Sequence, residues 1–212
     1  MSQSVVLRDG AKRLGLELTD RQCDQLLAYG ALILKWNKVY NLTAVRDPVG
    51  VLTHHLFDSL SVIEPLRRER PGRAKLLDVG AGAGLPGVVI AIMRDDIDVS
   101  CLDAVAKKVA FVQQVSAELG LPNLRGVHAR VESLTGSYDV ISSRAFASLA
   151  DFYTGSAQLL ASDGVWMAMK GKTPTDEMAA LPAGVEVFHV EQLHVPSLDA
   201  ERCIVWARKS AA

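Results

Sequence analysis

From residue 75 onward the apolar rhythm switches repeatedly between strand and helix, and few architectures tolerate that alternation. "KLLDVG" (75–80) is a short buried-strand run, and residues 86–94 are helical. "DVSCLD" (98–103) is a second strand, followed by the helix "AVAKKVAFVQQVSAELG" (104–120). "LRGVHA" and "YDVISS" continue the series, a helix over about 149–161 leads to "GVWMAMKG", and "GVEVFHVEQL" and "RCIVWARK" close it. The last two have no long helix between them, so they are expected to form an antiparallel pair. Strands joined by helical crossovers lie parallel. The expectation is therefore an α/β fold with a seven-stranded, mostly parallel, Rossmann-like sheet. Ligands of such sheets sit at the carboxyl ends of the strands. That rule draws attention to Asp78–Gly84, Asp103, Arg130–Glu132, Ser142–Arg144 and Lys170–Gly171.

The first 65 residues read as helices. "TDRQCDQLLAYGALILKWNKVYN" opens with the capping candidates Thr19 and Asp20, and Cys23, Leu26, Leu27, Gly30, Ile33 and Leu34 form one stripe. "DPVGVLTHHLFDSLSVIEPL" places Pro48 at a first helical position behind Asp47. Pro65 and "RRERPGR" then break the pattern as a linker. Residues 1–70 are expected to be a helical extension packed on the core, and 71–212 the core itself.

At 212 residues, with 49% hydrophobic and 22% charged side chains, the chain suits one domain with a small appendage. The formal net charge of −1 excludes a global basic field. Nucleic acid would have to be held by local patches, for which Arg67, Arg68, Arg70, Arg73, Lys75, Lys107, Lys108, Lys170 and Lys172 are candidates. Cys23, Cys101 and Cys203 are far apart and form no metal or disulfide pattern, so buried thiols are expected. The five histidines show no metal spacing either. "MSQSVVLRDGAKR" lacks the apolar core of a signal peptide, and no run is long enough for a membrane span. A cytoplasmic location is expected.

"LLDVGAGAGLPG" (76–87) places four glycines in eight positions behind the first strand. It matches the G-x-G-x-x-G dinucleotide fingerprint at Gly82, Gly84 and Gly87. Asp78 argues against that ligand, with a plain turn residue as its alternative. A carboxylate beside the turn repels a pyrophosphate, whereas the sulfonium and ammonium of S-adenosylmethionine are attracted. At ~4 Å and an effective dielectric near 20, one such contact is worth on the order of 4 kcal/mol before desolvation. Asp103, ending the second strand, suits ribose hydroxyls in either ligand; capping the next helix is its alternative.

Taken together, "KWNKVYNLTAVRDP", "HHLFDSL", "LLDVGAGAGLPG", "ISSRAFASL" and "MKG" resemble the small-subunit rRNA methyltransferase G family, in order and across nearly the whole chain. The resemblance implies a class I S-adenosylmethionine-dependent methyltransferase. It implies methyl transfer to N7 of guanine 527 in the 530 loop of 16S rRNA, free or in a small-subunit assembly intermediate. A monomer is expected, with neither metal nor membrane as a partner. Carried over residue by residue, Gly80 and Leu85 contact the cofactor, Val131 and Glu132 of "ARVE" lie by the adenine, and Arg144 of "SRAF" borders the cofactor. Gly82 and Gly84 join Asp78 and Asp103 in the cofactor site, and Arg144 is the catalytic candidate through guanine O6. Glu132 has helix initiation as its alternative, and Trp36 is assigned to the core. Two rivals stay open, an NAD-dependent oxidoreductase and an RNA-binding module with a vestigial cofactor site.

Overall fold

Thr19 starts the longest helix by a reciprocal cap. Its hydroxyl accepts from the Gln22 backbone N–H while the Gln22 side chain accepts from the Thr19 backbone N–H. In this computed structural model, which describes residues 2–144, 146 and 148–210, that helix is α2 (Asp20–Tyr40), preceded by α1 (Gln3–Arg13). The quoted segment "ISSRAFASL" includes Ala145 and Ala147, which lie outside the described residues. Asn41, left-handed at φ 48°, ends α2. Asp47 caps the next helix through Gly50 N–H at 2.8 Å, with Pro48 at the first position as expected.

That second helical stretch is not regular. α3 (Pro48–Val51) passes into a π-helical turn, Leu52–Phe57, before α4 (Asp58–Leu60) and α5 (Ile63–Glu69). Such turns are rare and concentrate at functional sites. The expected break at Pro65 is corrected: Pro65 is the third residue of α5. A helix leaves its first four N–H groups unpaired, so a residue without one costs nothing there. The linker shrinks to the residues between Glu69 and the first strand.

The rest alternates as expected: β1 (Ala74–Val79), α6 (Gly87–Met93), β2 (Ile97–Asp103), α7 (Ala106–Leu119), β3 (Leu124–His128), β4 (Tyr138–Arg144), α8 (Leu149–Ser156) and β5 (Leu160–Lys170). The helix expected to reach 161 stops at Ser156, because β5 begins at Leu160. A short α9 (Thr175–Ala179), β6 (Val185–Leu193) and β7 (Arg202–Lys209) complete the chain. The sheet order is β3-β2-β1-β4-β5-β7-β6. The first five strands are parallel; β7 is antiparallel to both neighbours and inserts between β5 and β6.

Period-two alternation sends Leu76 and Val140 to one face and Leu77 and Ile141 to the other. The first face shares a continuous core with Leu26, Tyr29 and Ile33 of α2, with α6, and with Phe111 and Val115 of α7. The second packs on Leu149, Phe152 and Tyr153 of α8. The three cysteines are buried and unbridged. No helix among the described residues is long and apolar enough to cross a membrane.

Candidate functional site

The four glycines behind β1 divide into two pairs. Gly80 and Gly82 have φ of +67° and +59°, and a Cβ built on Gly80 would meet nothing within 4 Å. Their bare backbone faces open space that a ligand can approach closely. Gly84 and Gly87 are bare for internal packing. A Cβ on Gly84 would lie 2.5 Å from a Val88 methyl, and one on Gly87 2.5 Å from the Cys101 sulfur. The apparent dinucleotide fingerprint thus combines two unrelated needs, and Gly84 belongs to the second. Leu85 is buried in the core, so it offers a ligand its backbone rather than its side chain.

The direct charge contact expected of Asp78 is not what the structure builds. Its side chain is fully buried, accepting from Gly87 N–H and from the Ser142 hydroxyl, both at 3.0 Å. Burial pushes its pKa up to about 6 against those two hydrogen bonds. Asp78 therefore fastens the start of α6 to β4, shaping the turn from beneath. From above, the buried Tyr29 hydroxyl of α2 donates to Ala83 O at 2.6 Å. Burial raises that phenol's pKa well above its usual value, so it remains a donor.

Asp103 is engaged within the protein, bridging the glycine turn and the entry to α7. One carboxylate oxygen accepts from Gly82 N–H at 3.0 Å, and the other accepts from Val105 N–H at 2.9 Å at the entry to α7. Lys108 stands 3.6 Å away. Val131 and Glu132 lie in a 3₁₀ turn (Val131–Ser133) after β3; Val131 is buried and Glu132 exposed. The carboxyl edge thus collects Gly80, Gly82, Asp103 and the Val131–Glu132 turn, while Asp78, Gly84 and Leu85 support it from inside.

Beside this edge, past the ends of β4 and β5, opens a cavity of about 470 Å³. Thr43, His55, Asp58, Arg144, Lys170 and Arg202 supply its polar lining. Arg144 is pinned: its Nη1 donates to Asp58 at 2.9 Å and to the His54 carbonyl in the π-helical turn at 3.0 Å. Arg202 Nε holds the other Asp58 oxygen at 2.8 Å. One buried carboxylate therefore ties the helical region to β4 and β7. His55 is occupied on both ring nitrogens, donating from Nδ1 to its neighbour's carbonyl and accepting at Nε2 from Thr43. Burial, reinforced by Arg144, lowers its pKa to about 4. Lys170 is clamped by Glu177 at 2.9 Å.

Asp58 and His55 lie in a segment already singled out, and Lys170 among the basic candidates. Arg202 was missed. It is 144 residues from its partner Asp58, and no local pattern marks it. A larger cavity, about 600 Å³, is lined by Arg73, Lys75, Asp95, Asp96, Asp98 and Asp139 at the opposite edge, where strands begin. It has no glycine turn.

The family model described as rRNA small subunit methyltransferase G matches residues 22–205. A ribosomal RNA small subunit methyltransferase G from Acidovorax sp. (strain JS42) is 62% identical over 97% of this chain and 95% of its own length. One from Polaromonas sp. (strain JS666) is 65% identical over 97% and 94%. Among solved structures, a SAM-dependent methyltransferase from Aquifex aeolicus superposes with a TM-score of 0.58 at 18% identity, covering 79% of this chain and 96% of its own. TrmN from Thermus thermophilus gives 0.58 at 18%, covering 75% and 53%. These likenesses bear out the class I methyltransferase fold. With its match spanning most of its length, the chain belongs to the rRNA small subunit methyltransferase G family.

Proposed function

We propose that this protein transfers a methyl group from S-adenosylmethionine to N7 of guanine 527 in the 530 loop of 16S rRNA. The names of its relatives support small-subunit rRNA as the substrate. The observation that favours N7 is the cavity past the ends of β4 and β5, where no disengaged base stands among the described residues. Asp58 is saturated by two guanidinium groups, and His55 has both nitrogens committed. A hydroxyl or an exocyclic amine sheds a proton on methylation and profits from a positioned base. Guanine N7 carries a lone pair and no proton.

Gly80, Gly82, Asp103, Val131 and Glu132 are the residues that would hold S-adenosylmethionine, with Asp78, Gly84 and Leu85 keeping the turn in shape. When bound, the cofactor supplies an electrophilic methyl. What remains for the chain is alignment, and holding reactants at ~3–3.5 Å contributes on the order of 7–11 kcal/mol. Arg144 is the catalytic candidate. Both its hydrogen bonds leave from Nη1, and its remaining donors suit guanine O6, the acceptor that arginine reads in DNA. The 530-loop base is taken in unpaired form, as sequence-specific RNA recognition generally requires. Residues 1–70 act as a helical extension supporting the cofactor turn through Tyr29. The protein works as a cytoplasmic monomer on 16S rRNA, free or in an assembly intermediate.

The test is methyl incorporation into 16S rRNA lacking the modification, with N7-methylguanine mapped by strand cleavage. A single product at guanine 527 is expected. The single-turnover rate should be nearly flat from about pH 6 to 8.5. A tenfold fall per pH unit on the acid side, abolished by replacing His54, His55 or His128, would show that a base is needed and overturn the N7 assignment.

A further inference from the structure

Five large apolar side chains stand exposed among the described residues, and three of them share one place in the fold. Val39 and Tyr40, 71% and 39% exposed, end α2; Val105, 39% exposed, precedes α7. The two helices run antiparallel. Arg21 and Gln25 near the start of α2 donate to the Gly120 and Leu119 carbonyls at the end of α7, and Trp36 meets Phe111 edge-on at 5.3 Å. One turn beyond that contact, in opposite directions, the register brings Tyr40 level with Lys107. Tyr40 rests against Trp36 at 5.1 Å, which backs its ring.

Exposed cations outnumber exposed carboxylates around this patch. Lys38, Arg46 and Lys107 are exposed and form no ion pair among the described residues. Of the nearby carboxylates, Asp47 is exposed and accepts from Gly50 N–H, while Asp103 is buried and held by Gly82, Val105 and Lys108. The patch is also held in place. The buried Asn37 side chain bonds Thr43 N–H and the Val45 carbonyl, bracing the 41–46 segment. Thr43 and Val45 of that segment line the cavity at the ends of β4 and β5. A basic, aromatic platform therefore runs directly into the cavity.

We propose that Lys38, Val39, Tyr40, Arg46, Val105 and Lys107 form a docking platform for single-stranded RNA flanking the methylated nucleotide. An unpaired base stacks on Tyr40, and phosphates lie on the three cations. Aromatic stacking with basic flanks is the chemistry by which proteins hold single strands. The proposal rests on the rRNA-methylation reading, and it names the surface that presents the substrate.

The test compares Tyr40→Ala, Tyr40→Phe and the double variant Lys38→Gln/Lys107→Gln with the native protein. Affinity for a 16S rRNA transcript is measured across salt concentrations, and S-adenosylmethionine affinity by calorimetry. Tyr40→Ala is expected to weaken RNA binding about tenfold or more, Tyr40→Phe less than threefold, and all variants to keep the cofactor affinity. The double variant should lower the salt slope by about 0.7 for each lost phosphate contact. Native RNA affinity and slope in all variants would overturn the platform while leaving the methylation reading intact. A platform that matters only on assembled subunits, with naked RNA unaffected, would point to a protein partner and equally overturn it. Absence of RNA binding and methylation by the native protein would overturn the functional reading, and the platform with it.

Discussion

Two basic clusters, one in the segment leading into β1 and one at the carboxyl edge, differ in how far their cations are paired. In the segment before β1, Arg67 pairs with Glu64 and Arg70 with Asp163, while Arg68 pairs with Glu191, which the register places level with Arg144. Arg94 is buried there, bound to Asp96 and to the Arg70 and Gly72 carbonyls. At the carboxyl edge, Lys38, Arg46 and Lys107 form no ion pair among the described residues, while Arg144 and Arg202 share Asp58. From sequence the arginine-rich linker is the more conspicuous RNA-binding candidate. In the structure Arg67, Arg68 and Arg70 are already paired within the fold and have little attraction left for a phosphate, whereas Arg73 and Lys75 are exposed with no ion pair among the described residues.

The largest effect is expected where the carboxyl edge concentrates charge. Asp58→Ala leaves two half-buried guanidinium groups facing each other unpaired, and breaking such an arrangement costs about 3 kcal/mol or more. Urea unfolding should show it, and Asp58→Asn should recover part of it through hydrogen bonding. A loss below 1 kcal/mol in Asp58→Ala would mean that the tie between helical region and sheet is incidental.

Next comes a pair of opposed pH dependences. Asp78 has a folded pKa near 6 against 3.8 in the unfolded chain, so its contribution is full below pH 3.8 and is lost as pH rises through 6. The cost at neutral pH is on the order of 3 kcal/mol. His55, lowered from 6.5 to about 4, contributes above pH 6.5 and loses that as pH falls through 4. Between pH 4 and 6 the two oppose each other. Asp78→Asn should therefore make stability fall more steeply on acidification, and His55→Gln less steeply. Parallel profiles for both variants and the native protein would refute the assignment.

Smaller effects are expected in the segment before β1. Glu64→Gln removes one partner of an exposed ion pair, and the unfolding free energy should move by less than about 1 kcal/mol. The smallest concerns RNA directly. Neutralising Arg67, Arg68 and Arg70 together should leave the salt slope of RNA binding unchanged, whereas sequence alone suggests a flattening of roughly 0.7–0.9 per contact. A clear flattening would restore the linker as an RNA contact and dissolve the contrast between the two clusters.

Much of the fold was legible because it depends on local patterns. Leu76 and Leu77 face opposite sides of the sheet whatever surrounds them, and Thr19 caps α2 with its neighbour three residues on. The departures came where local rules compete. Pro65 is a breaker in mid-helix and harmless in a first turn, and "LTHHLF" carries no mark distinguishing a π-helical turn from an α-helical one. For the site, the glycine turn, Asp103 and Arg144 were visible because sheet topology gathers strand ends. That Asp78 is fully buried and bonded to Gly87 and Ser142 was not legible, since it depends on how α6 lies across β1.

The sequence by itself determined the strand–helix alternation, the place of the glycine turn behind β1, and the family, because each resides in short stretches whose meaning survives removal from context. Only the tertiary structure decided which charges meet. Arg202 reaches Asp58 across 144 residues, Arg68 reaches Glu191 across 123, and Lys107 meets no carboxylate among the described residues. Coulombic pairing acts over a few ångströms of space regardless of separation along the chain. Which cations remain available to RNA is therefore settled only once the chain has folded.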